Sequence, residues 1–527
     1  MIHGKNLIGF EQFANGTQTF QTYNPADLRE LPELFVQATD AEVDLAVEKA
    51  TAAYGTYKKT SGTAKASFLR AIADEIEELG TALIERASAE SGLPEGRITG
   101  ERGRTVNQLR LFASVLEDGS WVEASIDPAM ADRKPLPRPD IRKMLQPVGP
   151  VVVFTASNFP LAFSTAGGDT ASALAAGNPV IVKVHPYHAG TNELVVGAIS
   201  RAAQKCGMPD GVFSSLNSSD FTVGQRLVLH PAVKSVAFTG SFGGGKSLYE
   251  LAQSREEPIP VFAEMGSVNP VLLLPEKMKG ETENLAATIA GSVNLGAGQF
   301  CTNPGVLVAL KSNETDAFKS ALVKQVQALA PQAMLHENIF KNYTKKTAEI
   351  FAETAVVKLS ESATGASTLK GRPAVANITG ADFLAKPDLV EEIFGPFSIL
   401  IECADEAELM DVLKKFKGQL TGSVLGAGDD FRKFESHIRV LQEVVGRLIF
   451  NGVPTGVEVC YSMHHGGPYP STTDSRFTSV GVDAIKRFVR PVSFQDAPDD
   501  YLPDELKNAN PLNIWRRVDG ELTRKTI

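Results

Sequence analysis

Cysteine is scarce in this chain. Only Cys206, Cys301, Cys403 and Cys460 occur in 527 residues, with no CxxC pair among them. That scatter excludes a disulfide framework and offers no zinc-ligand spacing, so the expectation is a reducing, cytoplasmic setting and no metal. Long apolar runs are missing too, since none approaches the roughly 18 residues that cross a bilayer. The opening MIHGKNLIGFEQFANG lacks the basic, apolar and small-residue succession of a secretory leader, so the expectation is an unprocessed protein with no membrane partner. Surplus positive charge is absent: 52 basic against 62 acidic side chains leave a net charge of -10, which opposes broad adhesion to nucleic acid. Small-molecule partners remain.

With 43% hydrophobic and 22% charged residues, the balance is that of a globular enzyme. At about 150 residues per domain the length implies roughly three units. From Asp40 to Leu116 the apolar spacing is helical, as in Leu69, Ile72, Ile76 and Leu79. A Pro-rich stretch follows, and then Ile141 to Met144 with the turn Pro147 to Pro150, which reads as an exposed hairpin or flap. Next, short β-branched runs alternate with helical segments: Val151 to Phe154, Pro179 to Lys183, Gly211 to Leu216, Val233 to Phe238 and Pro270 to Leu274. Helices between strands imply parallel pairing and a doubly wound sheet. A second α/β set comprises Gly305 to Leu310, Ser398 to Ile401, Ser423 to Leu425 and Arg447 to Phe450, so a cleft between two α/β units is expected. The tail from Phe488, rich in Pro, Asp and Asn, is expected to pack on a neighbouring subunit.

Gly240 to Ser247 reads GSFGGGKS and satisfies the phosphate-loop pattern of nucleotide triphosphatases, with Lys246 as the phosphate lysine. Glycine amides at a helix N-terminus bind phosphate, but the same physics serves the pyrophosphate of a dinucleotide. The only acidic partner for a triphosphatase is Glu276.

Cys301 lies in Gly-Ala-Gly-Gln-Phe-Cys-Thr-Asn-Pro, a small-residue stretch that leaves room around one thiol. A nucleophilic cysteine needs access and a lowered pKa; the alternative is a buried inert thiol. Glu264 ends the apolar run Pro260 to Ala263, where partial burial is expected to raise its pKa toward the range of a general base. Asn158 follows the Val151 to Phe154 run, and its amide is a candidate oxyanion donor.

Together these stretches resemble the aldehyde dehydrogenase superfamily, in order, from about residue 20 to 500. The matching pieces are Asn158-Phe-Pro, the run Leu174 to Lys183, Phe238-Thr-Gly-Ser241, Glu264-Met-Gly266, Gly298-Gln-Phe-Cys301 and Glu391 to Pro396. Within it, the runs Ala263 to Pro270, Gln299 to Pro304 and His464 to Pro468 resemble the α-ketoglutaric semialdehyde dehydrogenase branch, grouped with a fatty aldehyde type.

The resemblance implies an α/β aldehyde dehydrogenase fold: a Rossmann-like dinucleotide domain (1–127 and 149–262), an α/β catalytic domain (263–484), and a small β oligomerisation flap with the tail (128–148 and 485–527). It further implies NAD(P)-dependent oxidation of an aldehyde to an acid in a homodimer or homotetramer. Cys301 attacks the aldehyde, Asn158 and the Cys301 amide hold the oxyanion, and Glu264 activates the water that hydrolyses the thioester. Lys183 reaches the adenosine ribose, Gly240 and Ser241 the pyrophosphate, and Glu392 with Phe394 the nicotinamide side. The family often carries an acid three residues after the adenosine lysine, where this chain has Pro186. Without that carboxylate a 2′-phosphate meets no like charge, which favours NADP or dual use, with His185 or Lys246 assisting. His464 and His465 fall where the family's chain returns to the catalytic mouth, and one of them is a candidate to tune Glu264 or the leaving proton. Arg104, Gln108 and Phe112 share one helix face; in the family that helix borders the substrate tunnel, so the resemblance implies Arg104 as a clamp for a substrate's distal carboxylate. Phe159, Phe163 and Phe300 line the tunnel and suit a fatty aldehyde equally well.

Overall fold

The computed structural model describes residues 2–362 and 369–527. Two seven-stranded sheets dominate it. In the first, the order is Val261–Glu264, Ser235–Thr239, Val151–Phe154, Val180–Lys183, Phe213–Leu216, Asn6–Ile8 and Glu11–Phe13. The first five run parallel, while the N-terminal pair joins antiparallel. The chain moves from Val151–Phe154 out one side and returns on the other at Ser235–Thr239, which creates a switch in strand order. Ligands of open α/β sheets bind beyond the carboxyl ends of the strands at such a point. Asn158, Lys183, Gly240 with Ser241, and Glu264 all lie at or just beyond those ends.

The second sheet is ordered Val357–Glu361, Ala374–Thr379, Phe397–Cys403, Val306–Leu310, Val271–Leu273, Gln419–Leu425 and Val445–Phe450, parallel but for the first strand. The run Pro270 to Leu274, grouped by sequence with the first set, belongs here. It follows Asn269, whose φ of 47° turns the chain away from the first sheet. Buried apolar residues cover both faces of each sheet, which explains why the central strands are continuous β-branched runs.

Asp40–Tyr57, Gly62–Glu78, Gly80–Ser91 and Glu95–Asp118 form the expected helical opening. Thr39 and Glu42 close the first of these with a reciprocal cap: the Thr39 amide donates to Glu42 Oε2 at 2.7 Å, and the Glu42 amide to Thr39 Oγ1 at 3.2 Å. Among the described residues no helix is long and apolar enough to cross a membrane.

The expected hairpin is larger than its sequence suggests. Ile141–Pro147 is the second strand of a five-stranded sheet ordered Val489–Gln495, Ile141–Pro147, Ser125–Asp127, Arg516–Val518 and Glu521–Thr523. The tail, expected on a neighbouring subunit, therefore pairs with the flap of its own chain. Buried Arg516 fixes its end by donating to the carbonyls of Lys507, Asn508 and Lys525.

Asn178 is fully buried where flap, tail and first sheet meet. Its Oδ1 accepts the amides of Val148 and Gly149, both at 2.9 Å, and its Nδ2 donates to the Phe488 carbonyl at 2.9 Å. Asn178→Ala strands the buried Gly149 amide and removes the tie to Phe488, whose carbonyl keeps the Val148 amide at 3.3 Å, and should cost about 2 kcal/mol. A matching fall in the urea midpoint is the expected reading, and an unchanged midpoint would show that another group satisfies the Gly149 amide.

Candidate active site

The Cys301 loop begins where the helix Pro275–Asn294 ends and the chain turns through Gly296, Ala297 and Gly298, all with φ between 56° and 66°. Gly298 must be glycine for a second reason: a Cβ there would sit 2.2 Å from the Gly395 carbonyl oxygen. The thiol loop is thereby seated against the chain just after Glu392 and Phe394. Asn269 locks it from the other side, its Nδ2 donating to the carbonyls of Cys301 and Asn303 at 2.9 Å each, while Thr421 donates to its Oδ1 at 2.8 Å.

Glu264, at the end of its strand, is only 3% exposed. His465, wholly buried, brings Nε2 to 3.1 Å from Glu264 Oε1 and 3.5 Å from Cys301 Sγ. Ser479 Oγ donates to Glu264 Oε2 in a short bond. Of the adjacent histidines, it is His465 that reaches the thiol.

Two electrostatic expectations are overturned. Burial does push the Glu264 carboxyl up, but the charge and hydrogen bond of His465, with bonds from Ser479 and Cys301, outweigh it and hold the group below its usual range. The Cys301 thiol, expected to be depressed, is instead pushed well above its usual value by burial, reinforced by the charge and hydrogen bond of Glu264; Arg104 opposes this only in part. At neutral pH the arrangement is a protonated thiol beside a carboxylate, with an imidazole touching both. Asn158 Nδ2 donates to the Gln299 carbonyl at 3.1 Å, which holds the amide beside the thiol loop and leaves its second proton for another acceptor.

Phe159 meets Phe163 and Phe300 edge-on, with centroids 5.2 and 5.3 Å apart. The Arg104 guanidinium lies over Phe163 at 5.2 Å and Phe159 at 5.8 Å, so the four residues chosen from sequence do converge. Arg104 Nε has no hydrogen-bond partner among the described residues. Arg104 lines a cleft of about 390 Å³ with Gly100, Gly103, Asn107, Val457, Glu458 and Val459. Sequence reasoning missed three supports. Arg97 stacks over Phe159 at 4.5 Å; Glu101 accepts the amides of Leu161 and Ala162 at 2.8 and 2.9 Å and so aims the turn after Asn158; Ser479 steadies Glu264. None carries a local signal, because each acts across tens of residues or more.

On the other side of the cleft, Ser241 caps the helix Phe242–Gln253 by accepting the Gly244 amide at 3.2 Å, and the Gly240 amide donates to the Glu264 carbonyl at 3.0 Å. Since that helix begins at Phe242, Gly243 to Gly245 are helical and do not wrap a triphosphate. Lys246 points along it to Glu250, 3.6 Å away. The triphosphatase reading fails on this geometry, but an exposed helix N-terminus beside a glycine still suits a pyrophosphate. Lys183 Nζ donates to the Ser218 carbonyl at 3.3 Å, and burial, opposed by Asp220, draws its pKa down to about 8. Burial pushes Glu392 up to about 7 against the Ser267 amide and Lys346; its carboxylate occupies the space that a Cβ on Gly266 would need, at 2.4 Å. Phe394 follows, partly buried. These groups ring the sheet's switch point and fit a dinucleotide.

His185 does not serve as a cation. Burial, followed by His188, His336 and Lys183, holds it well below its usual pKa, and its Nδ1 accepts the Tyr187 amide at 3.4 Å. It is a neutral ring in an aromatic cluster, 5.3 Å from His188 and 5.9 Å from His336.

Residues 13–491 match the Aldehyde dehydrogenase family profile. The chain is 46% identical to alpha-ketoglutaric semialdehyde dehydrogenase 2 of Azospirillum brasilense over 521 residues, 99% of each chain. It is 44% identical to the alpha-ketoglutaric semialdehyde dehydrogenase of Acinetobacter baylyi, again over 99% of each. The fold matches that of 1-pyrroline-5-carboxylate dehydrogenase from Thermus with bound NAD, with a TM-score of 0.78 and 21% identity over 94% of this chain and 92% of that one. A buried thiol, carboxylate and imidazole brought together on this fold, with a family match across nearly the whole length, lead to one conclusion: the chain belongs to the aldehyde dehydrogenase family and is an NAD(P)-dependent oxidoreductase.

Proposed function

We propose that this aldehyde dehydrogenase oxidises α-ketoglutaric semialdehyde to α-ketoglutarate. The observation that carries the substrate is Arg104, a largely enclosed guanidinium lining the cleft, whose Nε lacks a partner among the described residues and which lies over Phe159 and Phe163 and within electrostatic reach of the Cys301 thiol. Its strongest carboxylate neighbour, Glu101, is paired with Arg97, so the guanidinium is left with capacity for a substrate anion. Glu458 shares that cleft, but its Oε1 accepts the Val459 amide. The two relatives named for this substrate support the reading. The three phenylalanines favour a second one, a medium- or long-chain aldehyde, which needs no cation.

In this mechanism the protonated Cys301 thiol gives its proton to the Glu264 carboxylate, its hydrogen-bond partner, as sulfur attacks the carbonyl; the His465 Nε2–H bond holds that carboxylate ionised beforehand, and the proton passes on to solvent before the thioester is hydrolysed. Asn158 Nδ2 and the Cys301 amide receive the oxyanion. When bound, the dinucleotide, held by Lys183, Gly240, Ser241, Glu392 and Phe394, supplies the hydride acceptor that the passage from thiohemiacetal to thioester requires. Glu264 then takes a proton from the hydrolytic water, its low pKa keeping it ionised at neutral pH. Pro186 in place of an acid supports use of NADP as well as NAD. The neutral His185 gives no assistance, so any attraction for a 2′-phosphate falls to exposed Lys246 or Lys183.

We assign 1–127 with 149–262 to dinucleotide binding, 263–484 to catalysis, and the five-stranded flap sheet to assembly of a homodimer or homotetramer. The four free cysteines suit the cytoplasm.

Arg104→Ala should raise KM for α-ketoglutaric semialdehyde by about 10- to 100-fold, as expected for a lost charge-assisted pair, while barely changing that for decanal. Equal effects on both substrates would remove the clamp. Glu264→Gln should slow the burst of reduced dinucleotide and lose steady turnover by roughly 100- to 1,000-fold. Stopped-flow absorbance reads both phases, and an undiminished burst would confine Glu264 to thioester hydrolysis. His465→Asn should slow the burst itself and also slow alkylation of Cys301 by iodoacetamide at neutral pH. An unchanged alkylation rate would remove His465 from thiol activation.

A further inference from the structure

The three groups that surround the reacting atom differ in kind: a sulfur, an imidazole nitrogen and a carboxylate oxygen. Glu264, Cys301 and His465 each present one such atom, and all three atoms lie within 4.8 Å of one another. Tetrahedral zinc binds sulfur at about 2.3 Å and nitrogen or carboxylate oxygen at about 2.0 to 2.2 Å, so neighbouring ligand atoms stand roughly 3.4 to 3.6 Å apart around it. Here the Sγ to Nε2 separation is 3.5 Å and the Nε2 to Oε1 separation 3.1 Å, so both edges come within a few tenths of an ångström of that figure.

We propose that Cys301, His465 and Glu264 form a three-ligand site for a thiophilic divalent cation, zinc above all, whose occupancy switches the enzyme off. A mixed S, N, O set with one position left for water is the pattern zinc accepts, and it suits the softer, imidazole-loving metals far better than magnesium or calcium. The surroundings supply the outer contacts such a site needs. Ser479 holds the second oxygen of Glu264. Behind the pair lies a cavity of about 20 Å³, lined by His465, Glu264, Thr472 and Ser479, which has room for one water. His465 Nδ1 is buried without a hydrogen-bond partner among the described residues, so a water there would orient the ring for a metal on Nε2. Two anionic ligands face the guanidinium groups of Arg104 and Arg447, which act on the thiol from outside the site.

Binding involves no redox step. The Sγ–H and His465 Nε2–H bonds break: the thiol proton leaves to solvent, the ring proton leaves Nε2 and the neutral ring carries its hydrogen on Nδ1, and the freed sulfur and nitrogen pairs form the bonds to zinc. The sulfur pair is the one that attacks the aldehyde, so a loaded site is a dead nucleophile. The site is separate from the substrate question, because it would form whichever aldehyde is physiological.

Cobalt(II) titrated into the reduced, full-length protein reports the site directly. The expected result is one equivalent per chain, with a sulfur-to-cobalt charge-transfer band and the strong visible absorption of a tetrahedral centre. Zinc should displace the cobalt and stop aldehyde oxidation, and a chelator should restore it. Cys301→Ser should abolish the charge-transfer band, and His465→Gln should weaken cobalt binding by about a hundredfold, since even an outer-contact change costs 10- to 100-fold. Cys460→Ser, which touches none of the three ligands, should leave the spectrum unchanged. Circular dichroism of each variant separates loss of the site from loss of the fold. A band that survives in Cys301→Ser, or no stoichiometric uptake by the native protein, overturns the proposal and leaves the dehydrogenase reading intact.

Discussion

One ring nitrogen is shared between a thiol and a carboxylate, and the chemistry of the site depends on that sharing. His465 Nε2 stands 3.5 Å from Cys301 Sγ and 3.1 Å from Glu264 Oε1, with no exposure to solvent. In so dry a place an isolated carboxylate would neutralise itself and an isolated thiol would stay inert. The imidazole resolves the first problem by donating its Nε2–H to the carboxylate, and the carboxylate so held ionised gives the thiol a nearby proton acceptor. Carboxylate and thiol therefore set each other's protonation with the ring between them, and none of the three can be assigned a role in isolation.

Three separate stretches of chain must be held in register for this contact to exist. Glu264 comes from the edge strand of the first sheet, Cys301 from the loop after a long helix, and His465 from the return of the chain below the second sheet. The connections are made by polar side chains that cross between them: Asn269 onto the Cys301 loop, Ser479 onto Glu264, Thr478 Oγ1 accepting the His465 amide at 2.8 Å. The apolar cores fix the sheets, but these buried bonds fix the site.

Much of this was legible in the sequence. The parallel strands declare themselves through β-branched runs such as Val151 to Phe154, and Cys301, Glu264 and Asn158 through ordered motifs. What escaped did so for physical reasons. Strands of three residues, such as Asn6–Ile8 and Glu11–Phe13, are too short to display a period of two. Val271–Leu273 looks like any interior strand, and only the left-handed turn at Asn269 decides which sheet receives it. The protonation of Glu264 and Cys301 could not be read from burial alone, because the deciding neighbour lies some 200 residues from one and 164 from the other. His185 illustrates the converse: a histidine beside a cofactor lysine suggests charge, yet stacking against His188 and near His336 leaves it a neutral plate.

The absence of a Cβ at Gly298 has a mechanical consequence. Because the thiol loop rests directly on the Gly395 backbone, with no side chain to compress, the nucleophile and the Glu392 to Phe394 turn form a single stiff piece. A change in the grip on one partner of the reaction is transmitted to the alignment of the other. Redesign of this enzyme toward a different dinucleotide would thus be felt at the sulfur, and variants selected for one property should carry compensating changes on the opposite wall of the cleft.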